Sequence, residues 1–68
     1  MLEEVIETIV ELMMWKGIKD DTCIRKVVKV AEKYFETNNF LDVMAPIMHE
    51  IVYTGTPESI NKCAEKYL

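Results

Sequence analysis

Apolar residues recur near the start of the chain at Leu2, Val5, Ile6, Ile9, Leu12 and Met13. That is the i, i+3, i+4, i+7 spacing of one face of an α-helix. Glu3, Glu4 and Glu7 occupy the first two turns, where negative charge complements the helix dipole. Lys16 and then Gly17 supply a positive end and a left-handed cap, so the pattern predicts a helix over residues 2–16.

Asp20, Asp21 and Thr22 follow as three successive candidate N-caps. Behind them Ile24, Val27, Val28, Ala31 and Phe35 form a second apolar stripe, widened by Val30 and Tyr34. Arg25, Lys26, Lys29, Glu32, Lys33 and Glu36 fill the other face, and Asn38-Asn39 makes a turn, predicting a helix over 22–36. The third segment, 40–54, is apolar nearly all round. Phe40, Leu41, Val43, Met44, Ile47, Met48, Ile51 and Val52 leave a polar strip at Asp42, His49 and Glu50. Such a helix is expected at the centre of a bundle. Pro46 withdraws the amide that would bond the Asp42 carbonyl, so this helix is expected to kink or break there. Gly55 ends it. Thr56 at N-cap, Pro57 at N1 and Glu58 in the first turn then open a helix over 57–67, with Ile60, Cys63, Ala64, Tyr67 and Leu68 on its buried face.

Four short helices joined by connections of about three to six residues predict an all-α fold, a compact antiparallel bundle in one domain. A 33-residue echo links Ala31-Glu32-Lys33-Tyr34-Phe35 to Ala64-Glu65-Lys66-Tyr67-Leu68. With Asn39-Phe40 and Asp42 it resembles the inter-helix turn of a tetratricopeptide repeat. Pro46 falls inside the helix that repeat keeps unbroken, and its paired Leu-Gly is missing, so the repeat is not adopted.

Composition narrows the function more than the fold. Half the residues are apolar and 29 % are charged, a globular balance. The apolar run Leu12-Met13-Met14-Trp15 falls far short of a membrane span. The start, Met1-Leu2-Glu3-Glu4, is acidic where a signal peptide is basic, so a cytoplasmic location is expected. There Cys23 and Cys63, with no CxxC spacing, read as small buried hydrophobes.

Chemistry is sparse. His49 is the only histidine. A bundle with one exposed histidine resembles histidine phosphotransfer domains, but Val52 and Tyr53 stand where those carry lysine and glycine. A zinc site from Cys23, His49 and Cys63 requires three separate helices to converge, with no fourth ligand evident. Gly17 and Gly55 read as helix caps, leaving no phosphate-binding loop. No cofactor, metal or catalytic role is expected.

Two surfaces stand out instead. Six of the eight basic residues lie between Lys16 and Lys33, and Arg25, Lys26, Lys29 and Lys33 line the second helix. They would serve a nucleic-acid-binding regulator that tracks phosphates, although the net charge of −4 opposes it. The favoured surface is the end of the first helix, where Val10, Met13, Met14 and Trp15 point in several directions. One packed face cannot bury them all, and Met and Trp suit adaptable, high-energy interfaces. Below about 70–80 residues one core rarely supplies more than about 3–5 kcal/mol, which independently favours a partner. The expectation is therefore a non-catalytic protein-interaction module, a homodimer or an adaptor. Glu4, Glu7 and Glu11 on helix one and the basic face of helix two would set its register.

Overall fold

The computed structural model describes residues 1–68. Its helices are α1 (Leu2–Trp15), α2 (Asp21–Tyr34), α3 (Phe40–His49) and α4 (Pro57–Glu65), with a π-helical turn, Glu50–Thr54, continuing α3. They form an all-helical four-helix bundle. The radius of gyration, 10.6 Å, matches the roughly 11 Å expected of a compact chain this long.

Each helix starts or stops where a local signal sits. Glu3 and Glu4 open α1 without a side-chain cap, and at its other end Gly17 takes φ +84°. The Gly17 amide donates to the Met14 carbonyl and the Ile18 amide to the Met13 carbonyl, each at 2.9 Å. This Schellman closure carries its usual apolar contact, setting Ile18 down beside Met13. Both side chains are fully buried. At the next helix Asp20 is the N-cap, its carboxylate accepting the Cys23 amide at 2.9 Å. Thr56 caps α4 through the Ser59 amide, with Pro57 at N1.

Of the kink or break expected at Pro46, there is no break: the helix runs through the proline to His49. Asp42, whose carbonyl loses its helical partner, lies on an exposed turn where water can supply one. The irregularity falls downstream instead, in the π-turn, where the Gly55 amide reaches the Glu50 carbonyl at 2.7 Å and Gly55 takes φ +68°.

The central helix is α2, not the third one. It packs against α1, α3 and α4, whereas α1 packs chiefly against α2. The reason is shape: Cys23, Val27, Val30 and Ala31 give α2 a buried face of small residues that neighbours can approach. Helix α3 and the π-turn leave Leu41, Val52 and Tyr53 exposed despite their apolar character. The core comprises thirteen buried residues, all of them apolar, and Asn61 Oδ1 is a buried side-chain oxygen without a hydrogen-bond partner.

The α2–α4 seam is the best-tied one. Lys26 pairs with Glu65, and Lys33 donates to the backbone oxygens of Tyr67 at 3.1 Å and Leu68 at 2.9 Å. Tyr34 and Tyr67 meet edge to face at 6.2 Å, and the Cys23 thiol points at the Pro57 carbonyl, 3.8 Å away.

Candidate interaction surface on the first helix

Helix α1 has two apolar rows. One, with Val5, Ile9, Leu12 and Met13, packs into or against the core. The other runs at every fourth position through Leu2, Ile6, Val10 and Met14. Leu2, Ile6 and Val10 are half-buried yet stand apart from the residues packed on the core. Met14 is 53 % exposed and Trp15, on the opposite flank, 83 % exposed, its ring approached by the Lys16 ammonium at 5.9 Å.

Of the four residues expected to meet a partner, three sit at the surface or its edge: Val10, Met14 and Trp15. Met13 does not, and this corrects the expectation. It is wholly buried in the core cluster with Ile9, and the Schellman closure at Gly17 brings the equally buried Ile18 back to the same helix end. The signal was present in the sequence: a glycine cap followed by isoleucine implies an apolar contact back to the third residue from the helix end.

The charge on α1 is one-sided. Glu3, Glu4, Glu7 and Glu11 have no basic counterpart between Leu2 and Trp15. The other eight acidic residues are matched by the eight basic ones, so the net charge of −4 belongs to this helix alone. Only Glu4 has an ion pair, with the terminal ammonium at 3.6 Å, and none joins α1 to α2.

The basic face of α2 is largely engaged elsewhere. The Arg25 guanidinium lies 2.8 Å from the Asp21 carboxylate, Lys26 pairs with Glu65, and Lys33 holds the chain end. Lys29 is exposed with no ion pair. Four residues in line by sequence thus offer one uncommitted charge, since three have intramolecular partners up to 39 positions away.

The largest concavity lies elsewhere. A cleft of about 480 Å³ opens between the end of α3 and α4, lined among others by His49, Glu50, Ser59, Lys62 and Cys63. Sequence reasoning did not find it, because its walls come from two helices whose approach no local pattern announces. The His49 ring tilts over Tyr53 at 4.5 Å between centroids, its Nδ1 3.9 Å from the Glu50 carboxylate. Burial pushes the Cys63 thiol up; Lys66 opposes the rise and Glu50 adds to it. Burial likewise raises Cys23, with Asp20 adding and Lys26 opposing. A nucleophilic cysteine needs the opposite shift. Cys23, His49 and Cys63 do not converge, and no three acidic, histidine or cysteine side chains gather to hold a metal. No helix is long and apolar enough to cross a membrane.

The raised thiols have a consequence for stability. An unfolded thiol starts to lose its proton near the ordinary 9.0, while the folded one still holds it. The stability contributed is whole below that pH and lost as pH rises through the folded value. Urea titrations from about pH 8 to about pH 10 should show declining stability, less steep in Cys63→Ala. Equal slopes in the two chains would show that Cys63 has no part in the decline.

Compared with known proteins, the chain matches no family model, no curated protein and no solved structure.

Proposed function

We propose that this protein is a non-catalytic interaction module that binds another protein surface, or a second copy of itself, through α1. The observation that carries this is the second apolar row of α1, which ends in exposed Met14 and stands apart from the core, with exposed Trp15 on the other flank of the same helix end. Single exposed hydrophobics are ordinary, as Leu41 and Tyr53 are here. A row four residues apart on one helix is a different feature: it is the pattern by which one helix reads another. Tryptophan adds what interfaces most often use for binding energy. The nucleic-acid alternative has less support, with Arg25, Lys26 and Lys33 already partnered.

Salt gives the first test. Apolar association tolerates salt, and two acidic α1 helices repel until salt screens them. Solution mass measured over a hundredfold concentration range should therefore rise at high salt and stay monomeric at low salt. Met14→Glu should remove the rise while leaving helicity intact. A mass indifferent to salt and to Met14→Glu rules out self-association. Loss of helicity in Met14→Glu makes Met14 part of the core and removes the surface.

A further inference from the structure

The acidic residues of α1 are not scattered around its exposed side. Glu3, Glu7 and Glu11 stand at every fourth position, all exposed and without an ion pair. They form a row parallel to Ile6, Val10 and Met14. Each glutamate lies three residues before its apolar neighbour, which on a helix makes them adjacent, roughly 5–6 Å apart at Cβ. The helix thus shows two straight rows side by side, one apolar and one anionic.

A solvated face rarely looks like this. Like charges at i, i+4 destabilise a helix by a few tenths of a kcal/mol per pair, and lysine is usually interleaved to relieve them. Helix α2 does interleave, pairing Arg25 with Asp21. Helix α1 has no basic residue to do so, and no basic residue of another helix comes across to it.

We infer that the preferred occupant of α1 is a basic amphipathic helix of another protein, lying along it with its apolar row on Ile6, Val10 and Met14 and its lysines or arginines on Glu3, Glu7 and Glu11. This rests on the interaction reading above and deepens it by naming the partner's chemistry. A second copy fits less well: its α1 brings a like-charged row, and most of its basic face is engaged within its own fold. Charge complementarity of this kind sets partner choice and encounter rate, while the apolar row holds the complex together.

The test uses two tryptophan-free helical peptides with the same leucine row, one carrying lysine and the other glutamate beside it. Binding is read by amide chemical shifts of the full chain. The lysine peptide should bind with shifts confined to α1, and the glutamate peptide should not. The triple variant Glu3→Gln, Glu7→Gln, Glu11→Gln should weaken binding at least about tenfold at low salt, the gap closing at high salt. A control triple, Glu36→Gln, Asp42→Asn, Glu58→Gln, should retain affinity. Equal losses in the two triples, or shifts spread over the whole molecule, overturn the inference by showing attraction to bulk acidity alone. Equal binding of both peptides on α1 overturns it too, but keeps the interaction reading. If neither peptide shifts α1 the inference falls, and a solution mass that also stays monomeric at every salt concentration takes the interaction reading with it.

Discussion

Met13→Ala should lower the free energy of unfolding by about 2–5 kcal/mol, the range for truncating a buried methionine. Met13 is fully buried and packs where the α1–α2 connection folds Ile18 back on the helix end. The loss combines the transfer energy of the removed atoms with the cavity left between elements that cannot collapse independently. For a domain whose core supplies only about 3–5 kcal/mol, this removes most of the stability. Urea denaturation checks it, against Met14→Ala, which should change stability by less than about 0.5 kcal/mol. Comparable losses at the two neighbours would mean that α1 packs through a different face.

Pro46→Ala should act in the opposite direction, by about 2 kcal/mol. Proline inside a helix costs about 3 kcal/mol relative to alanine, partly offset by up to about 1 kcal/mol from its restriction of the unfolded chain. Since α3 already continues through Pro46, the new amide needs no rearrangement to reach the Asp42 carbonyl. The midpoint of thermal unfolding should rise by roughly 10 °C. An unchanged midpoint would show that solvent already satisfies that carbonyl and that the ring causes no strain. A lowered one would show that the proline ring, which lines the cleft beside His49, contributes packing that alanine cannot replace.

These two residues mark the boundary of what could be read along the chain. At Met13 the local signals agreed: it closes the periodic apolar face of the first helix, and Gly17 as cap with Ile18 after it favours an apolar contact there, whereas Met14 lies outside that face. At Pro46 the local rule pointed to a kink or a break, and the helix runs through without breaking. Ile47 and Ile51, on either side of the change to π geometry, are both wholly buried, and their burial holds the segment helical beyond the proline. The surface proposed for interaction was legible in part. Val10, Met14 and Trp15 followed from an excess of apolar residues over one helix face. The paired rows became visible only once the core-facing row of α1 was known.

By itself the sequence determined the four helices, the caps at Thr56 and the two glycines, and a capping stretch, Asp20 to Thr22, from which the structure takes Asp20 as the cap of α2. All of these depend on neighbours within one or two turns, where spacing and backbone preference decide. Only the tertiary structure decided that α2 is central and that Lys26 and Lys33 bond to Glu65 and to the backbone oxygens of Tyr67 and Leu68. Those outcomes turn on partners as far as 39 residues away, and burial is settled by which helices meet rather than by the pattern on any one of them.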